Sequence, residues 1–415
     1  MLAALRHDHV SFPKAPPTLR ILIVTPSIPY PPNWGFGIRV FQIIRQLSQR
    51  HSVSVLCYAN DGDADKVAAL AEVCHSVHIV AAPLPHARSK RTAQLLSLVR
   101  RSSFQTASVR TSAMQARATE LLASEHYDLV QFESSQMSWL ELPGGLPSIV
   151  DEHNIEYELL QRMYQTERSP FRKLYNWGEF RKFRREERAS WHRADGCAVT
   201  SDREGAILAR CEPHQLIHVA PNGVDITYFT AGDEAVDDNS IVFTGLLNYR
   251  PNIDAVTFFA RQVLPLIVRQ RPQVVFSIVG LGAPSEVTRL AGPNVRFVGE
   301  VPDVRPAVRS AGAFVVPLRM GSGTRLKILE GLSMGKGMVS TTLGCEGIAV
   351  RDGQHLLVAD EPAAFAQAVL SLLDDRQLAA RLGREGRALV EQSYSWPSIV
   401  DGLERFHEQV LDARR

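Results

Sequence analysis

Short β-rich apolar runs alternate with amphipathic stretches along almost the whole chain, the pattern of α/β layers built on parallel sheets. In the first half these runs predict strands over 20–25, 52–58, 76–82, 128–133, 148–153, 196–201 and 216–222. A second series predicts strands over 240–245, 274–280, 295–301, 312–318 and 337–342. Between the first two strands, Val40, Ile43, Ile44 and Leu47 recur at helical spacing and mark one apolar face. The strand runs are nearly continuous in apolar residues, as expected when helices cover both faces of a sheet.

Two doubly wound, Rossmann-like domains follow from this pattern. Residues 1–19 read as a loose leader, with His, Asp and Pro where a signal peptide needs an apolar core. Residues 20–222 form the first domain, 223–239 a linker, 240–394 the second domain and 395–415 a closing helix that starts near Trp396. The linker reading rests on Asn222-Gly223, suited to a tight turn, and on the acidic stretch that follows. Ligands of open α/β sheets sit beyond the carboxyl ends of the strands, so two such domains place a ligand in a cleft between them.

Bulk properties narrow the classes. A chain of 415 residues exceeds one ordinary core, and its net charge of +2 gives no general pull toward nucleic acid. Cys57, Cys74, Cys197, Cys211 and Cys345 are scattered without a Cys-x-x-Cys pair, which argues against a disulfide framework or zinc site and suits a reducing cytoplasm. No apolar run approaches the length of a membrane span.

The densest candidate chemistry lies in 317–348, which reads as strand, glycine-rich turn, helix, strand. Gly321 and Gly323 bracket Ser322, and Thr324 completes the turn before a helix. Free backbone N–H groups and the positive end of a helix attract phosphate there. Arg325 and Lys327 add cations in the first turn, where they oppose the helix dipole and are better explained by a ligand. Glu330, three residues on, can accept two hydrogen bonds from a ribose diol. A plain strand-to-helix connection with solvated charges is the alternative, weakened by Gly, Gly, Arg, Lys and Glu falling within ten residues.

This stretch resembles glycosyltransferase family 4, a retaining family with the GT-B fold. Glu330 matches the second Glu of its Glu-x7-Glu motif, and 333–339 matches the strand that follows. Ser322 stands where the family has its first Glu, and Gly337 where it usually has Pro. A subgroup with Gly-x-Gly-Thr-Arg-x-Lys-x-x-Glu is most similar. The resemblance implies that Glu330 binds the ribose and that Ser322 or the turn amides take the first Glu's place. It extends to Asn222-Gly223-Val224-Asp225, which usually joins the two domains, and to Gly245 and Arg250 near the first strand and phosphate loop of the donor domain. Gly280, Gly282 and Val298 resemble strand ends that cradle the nucleobase through backbone. The closing helix resembles one that crosses back to pack on the N-terminal domain.

On the acceptor side, Gly35, Phe36 and Gly37 open a helix after a Pro-rich loop, a close-approach turn suited to a donor phosphate or an acceptor, or an ordinary turn. His153 sits in a polar cluster where a strand meets a helix and resembles the family's active-site His, which lies beside the transferred sugar. Glu152, Asn154 and Glu156 would support it or cap the helix. Two basic stretches stand apart: 86–119 holds seven Lys or Arg and no acid, and 162–193 holds ten against four Glu, with aromatics interleaved. They can lie on anionic lipid or be solvated faces; no nucleic-acid motif accompanies them.

The expected activity is retaining transfer of a hexose-type sugar from a nucleotide diphosphate sugar to a hydroxyl of a glycan or lipid-linked acceptor, in cell-surface polysaccharide or glycoconjugate synthesis. Arg325 and Lys327, with Arg250 and the turn amides, would neutralise the diphosphate, so no metal and no cofactor beyond the nucleotide sugar are expected. The expected location is cytoplasmic or peripheral on the inner face of the plasma membrane. The alternatives are a sugar-nucleotide epimerase or a non-catalytic nucleotide-sugar-binding protein of the same fold. A metal site at Asp61 and Asp63 and a nicotinamide enzyme built on Gly280-Leu281-Gly282 are further rivals, the first weakened by a helix-opening context and the second by an incomplete glycine pattern.

Overall fold

The computed structural model describes residues 19–83, 97, 101–167, 169–321 and 325–414. The expected leader falls almost wholly outside these residues, as do Ser322, Gly323 and Thr324 and much of the 86–119 basic stretch. In chain order the first elements are β1 (Arg20–Thr25), α1 (Gly35–Leu47), β2 (Ser52–Ala59), α2 (Ala64–Ala71), β3 (Ser76–Ala81), α3 (Phe104–Val109), α4 (Ser112–Ser124), β4 (Leu129–Glu133) and β5 (Ser148–Glu152). There follow α5 (Glu156–Thr166), α6 (Pro170–Arg193), β6 (Gly196–Val199), α7 (Asp202–Cys211) and β7 (Leu216–Val219).

The second series is β8 (Asp237–Thr244), α8 (Arg250–Phe258), α9 (Leu264–Gln270), β9 (Val275–Val279), α10 (Ser285–Thr288), β10 (Val295–Gly299), α11 (Arg305–Ser310) and β11 (Ala311–Val316). It ends with α12 (Leu326–Ser333), β12 (Met338–Ser340), β13 (Leu357–Val358), α13 (Pro362–Asp374), α14 (Arg376–Ser393) and α15 (Trp396–Ala413).

Two sheets result, with strand orders β3-β2-β1-β4-β5-β6-β7 and β10-β9-β8-β11-β12-β13. Neighbours such as β1 and β4, or β8 and β11, run parallel. Each sheet therefore reverses its winding direction beside its first strand, and the crevice at such a switch point is where open α/β sheets bind ligands. Every expected strand forms. Most stop one to three residues before the expected end, because their last polar or glycine residues turn out of the ladder, and β8 starts earlier, at Asp237. The two-residue β13 was not anticipated; it is too short to leave an apolar run.

By packing the chain divides into two compact units, one of Met1–Glu152, Leu160–Cys197 and Glu404–Arg415, the other of His153–Leu159 and Ala198–Leu403. In the first, Val40, Ile43, Ile44 and Leu47 of α1 are all fully buried, as their spacing required. In the second, Phe243, Phe259, Phe276, Phe314 and Phe365 anchor the core. Arg305 and Arg309 of α11 donate to the carbonyls of Tyr228 and Thr230, so the expected linker is anchored despite its acidity.

The closing helix, expected to pack on the N-terminal domain, is divided between the two units. Only its latter part belongs with the first unit, where Phe406 and Val410 lie against Gly196 and His407 Nε2 meets Gln131 Oε1 at 2.9 Å. Trp396 and Ile399 belong with the second unit, against Gly223. Both ends of α15 are apolar on the packed side, so each half has a core to join.

Candidate functional site

In the second unit, functional side chains gather at the carboxyl edge of β8, β9 and β11. Backbone bonds tie the loops together: Gly245 N donates to Val279 O, Gly280 N to Gly299 O, and Leu247 N to Leu281 O. The glycines are sterically required. A Cβ on Gly280 would stand 1.8 Å from Gly245 O, and one on Gly245 would stand 2.8 Å from Lys327 Nζ. Gly282 has a φ of +77°, a left-handed conformation that glycine adopts without cost.

Lys327 lies in the first turn of α12 and reaches back under β8. Its ammonium donates to Thr244 O at 2.7 Å and Asn252 Oδ1 at 2.9 Å and sits 4.0 Å from the centre of the Phe243 ring. Asn252 is fixed in turn by donating to Leu246 O. An ammonium has three hydrogens, so one remains after these two bonds. Burial pulls the Lys327 pKa down to about 7, the Glu330 charge opposes that shift, and Arg325 adds to it. Burial likewise pushes Glu330 up to about 7, against the pull of Lys327. Among the described residues, Glu330 has no hydrogen-bond partner.

The other expected donor-side residues fall around this centre with two corrections. Arg325 is the residue before α12 rather than within its first turn, and its buried guanidinium stands within 4 Å of where a Gly321 Cβ would be. Gly321 also borders Pro251 at the start of α8, which joins the loops after β8 and β11 at the switch point. Arg250 opens α8 but is exposed, and it is Asn252, two residues on, that contacts Lys327. Two residues apart on a helix are about 200° apart around it, so Asn252 is buried against the sheet and Arg250 is exposed. Val298 is 43% exposed on the edge strand β10.

His153 follows β5, and its carbonyl accepts from Thr200 Oγ1 at 3.4 Å. Glu156 lies close enough for the His153 charge to counter the upward push of burial on its carboxyl pKa. Gly35, Phe36 and Gly37 begin α1, whose apolar face is buried. Nothing would meet a Cβ on Gly35, whereas one on Gly37 would strike the Trp34 ring at 2.8 Å. Gly37 thus seats a tryptophan, and Gly35 leaves open space at the helix start.

Two features near the first switch point escaped sequence reading. Arg39 of α1 forms a two-pronged bond to Asp151 at 2.9 and 2.7 Å, with both side chains almost fully buried. Ser134, just after β4, has a φ of +81°, an uncommon conformation for a non-glycine residue that concentrates at functional sites. A lone arginine in an apolar helix face was the only sequence signal for the first; nothing signals the second. Glu152, expected as support, accepts from the buried Trp191 indole at 2.7 Å.

Asp63 caps its own turn by accepting from Asn60 N and is paired with Lys66. Gly280-Leu281-Gly282 leads into the four-residue α10, too short to present a helix end to a dinucleotide pyrophosphate.

Residues 35–228 match Glycosyltransferase Family 4 and residues 238–375 match Glycosyl transferases group 1. An uncharacterised 44.6 kDa protein in the cps region of Klebsiella pneumoniae is 21% identical over 92% of this chain and 98% of its own. A GDP-mannose-dependent phosphatidylinositol monomannoside mannosyltransferase of Corynebacterium glutamicum is 27% identical over 46% of this chain and 55% of its own. The fold matches sucrose-phosphate synthase from Thermosynechococcus elongatus with a TM-score of 0.65 at 18% identity, over 95% of this chain and 100% of that one. It also matches Anabaena HepE in complex with UDP with a TM-score of 0.65 at 15% identity, over 94% and 100%. With family 4 matched in its first half and group 1 in its second, the chain is a two-domain glycosyltransferase of the GT-B fold.

Proposed function

We propose that the protein is a retaining, metal-independent hexosyltransferase that uses a nucleotide diphosphate sugar and glycosylates a hydroxyl of a glycan or lipid-linked acceptor. The observation that carries this is the pairing of Lys327, with one N–H left, and Glu330, with no hydrogen-bond partner among the described residues, at the switch point of the second sheet. Lys327 and Arg325 hold the diphosphate, and Glu330 accepts from the ribose diol. The amides of Gly321, Ser322, Gly323 and Thr324 approach the phosphates, with Arg250 at their outer side. Gly245, Gly280, Gly282 and Val298 form the wall toward the base.

In the reaction the anomeric carbon–oxygen bond to the diphosphate breaks, and a bond to the acceptor oxygen forms on the same face. The acceptor proton passes to the departing phosphate oxygen. Fixed cations beside that oxygen stabilise its developing charge, which is the role a metal would otherwise take. His153 orients the sugar or the acceptor oxygen, and the Gly35–Phe36–Gly37 turn approaches the acceptor or a phosphate. The cps-region and mannosyltransferase relatives support synthesis of surface polysaccharide or glycoconjugate as the setting.

A cytoplasmic enzyme working at the inner face of an anionic membrane is part of this reading. Among the described residues no helix is long and apolar enough to cross a membrane. The outer face of α6 supports a surface contact. Phe171, Leu174 and Trp177 are 85, 65 and 39% exposed there, followed by the exposed Arg181, Arg184 and Arg185. The acids of this helix turn inward: Glu179 accepts from Ser97 and Phe104, Glu186 from Ser103 and Thr106, and Glu187 is fully buried. An apolar tip backed by cations fits a lipid surface of negative charge.

The test is transfer from a panel of UDP, GDP, ADP and dTDP sugars in EDTA, with the product anomer assigned by NMR and vesicle sedimentation run alongside. One donor should be consumed with its configuration kept, and binding should favour anionic over neutral vesicles. Donor binding without turnover across an acceptor panel points to a binding protein, and loss of turnover in EDTA contradicts metal independence.

A further inference from the structure

Lys327 is held by partners that carry no charge. Its ammonium donates to Thr244 O at 2.7 Å and to Asn252 Oδ1 at 2.9 Å, and the Phe243 ring centre lies 4.0 Å away. A backbone carbonyl, an amide and an aromatic face each stabilise a cation without cancelling its charge. Glu330 and Arg325, on its own segment, act on it through their fields, the first favouring the charged form and the second opposing it. Asp254, two residues beyond Asn252 on α8, is matched by Arg319, which bonds it at 3.0 and 2.6 Å.

The Asn252 amide can lie only one way round. An ammonium only donates and a backbone carbonyl only accepts, so the side chain turns its oxygen to Lys327 and its NH2 to Leu246 O, 2.7 Å away. It is buried in the first turn of α8 and cannot swing out without breaking both bonds. An aspartate has the same shape. When ionised it cannot donate to Leu246 O, and it places a negative charge against the ammonium. Gly245 lies beside the pair: a Cβ there would stand 2.8 Å from Lys327 Nζ and 2.9 Å from Asn252 Nδ2. Glycine keeps that side of the ammonium uncovered, and Lys327 remains part-exposed.

We infer that Asn252 is a positioning residue for the donor phosphates, holding the Lys327 ammonium at the carboxyl end of β8 while leaving its charge for the diphosphate to match. The inference rests on the diphosphate reading of Lys327 given above and adds a rule to it. The residue at 252 has to accept from the ammonium, donate to the loop after β8 and stay neutral. A carboxylate there would bond the lysine more strongly and repel the incoming phosphates, turning a binding group into a closed ion pair.

The test is calorimetric titration of whichever of UDP, GDP, ADP and dTDP binds the parent protein. It is run on Asn252→Asp, Asn252→Ala, Lys327→Ala and the variant combining the last two, from about pH 6 to 9 so that the alkaline limb is covered. Both single changes at 252 should weaken binding by about tenfold near neutral pH. Their alkaline limbs should move in opposite directions: up in Asn252→Asp, where a carboxylate keeps the proton on Lys327, and down in Asn252→Ala, where the ammonium loses an acceptor. Because Asn252 acts through Lys327, Asn252→Ala should add less than about twofold to the loss in Lys327→Ala. A purely structural asparagine would weaken binding without opposed limbs, and its effect would persist in full beside Lys327→Ala. Asn252→Asp keeps the side-chain shape, so its limb is readable even where the alanine variant is unstable. Parent-like affinity and limb in Asn252→Asp, or full additivity with Lys327→Ala, overturns the inference, while weaker binding in Lys327→Ala leaves the donor reading standing. No binding of any of the four diphosphates, or unchanged affinity in Lys327→Ala, overturns the donor reading and the inference with it.

Discussion

The two units hold their buried charges in opposite ways. In the first, Arg39 and Asp151 hold each other directly with two charge-assisted bonds, both side chains almost fully buried. In the second, Lys327 spends two of its three hydrogens on Thr244 and Asn252, and Glu330 accepts none among the described residues. Arg39 and Lys327 both lie on helices that follow a strand at a switch point, so position alone does not separate them. Direct pairing does: Arg39 and Asp151 bond each other, whereas among the described residues Lys327 and Glu330 do not. A charge bonded to its opposite is a structural fastener, and on the proposed reading one without such a bond is a place for substrate.

The sharpest way to break this contrast is to cut each pair. Arg39→Met leaves Asp151 buried without its partner and should cost about 3–5 kcal/mol in denaturant unfolding, with much recovered when Asp151 is made Leu as well. A cost below about 1 kcal/mol in the single variant would place Arg39–Asp151 outside the structural class. Lys327→Ala should lower kcat/KM about 10²–10³-fold, the range for removing a preorganised donor to a developing anion. Its unfolding free energy should drop by only about 1–3 kcal/mol, from the acceptors left at Thr244 and Asn252.

Glycines sharpen the same contrast. Gly280→Ala drives a Cβ to 1.8 Å from Gly245 O and should destabilise by about 1–3 kcal/mol or more while loosening donor binding. Gly35→Ala meets nothing and should change stability by less than about 0.5 kcal/mol. Equal effects at both positions would show that the cradle between β8 and β9 is not tight.

The smallest effect is on pH. On the proposed reading donor binding requires Lys327 charged and Glu330 ionised, and burial brings the first down and the second up to about 7. Donor affinity should therefore fall below about pH 7 as Glu330 gains a proton and above it as Lys327 loses one. Glu330→Gln should remove the acid limb, and Lys327→Arg the alkaline limb. Stability without donor follows from the same shifts. Folded Glu330 holds its proton longer than the unfolded chain, so stability falls between about pH 4.5 and 7. Folded Lys327 releases its proton earlier, so stability rises between about 7 and 10.5. Flat profiles in the parent protein would remove the titrating pair from donor recognition.

The strands were legible because each is an apolar run between turn residues, and the donor motif because its glycines, cations and acid lie within ten residues. Partnerships across the fold were not. Asn252 reaches Lys327 from 75 residues away and Arg39 reaches Asp151 from 112, and no local pattern encodes which side chains meet. Charge is visible in a sequence, but the direction of a side chain on a helix depends on where the sheet lies, so the bond of Asn252 to Lys327, two residues beyond Arg250, was not legible.

The most direct measurement is calorimetric titration of the cognate nucleoside diphosphate, chosen from UDP, GDP, ADP and dTDP, into the parent protein, Lys327→Ala and Glu330→Ala. One base should bind the parent, with affinity lower by about tenfold or more in each variant, since each loses a charged hydrogen bond. Unchanged affinity in both variants would contradict a grip on diphosphate and ribose by the two side chains of α12.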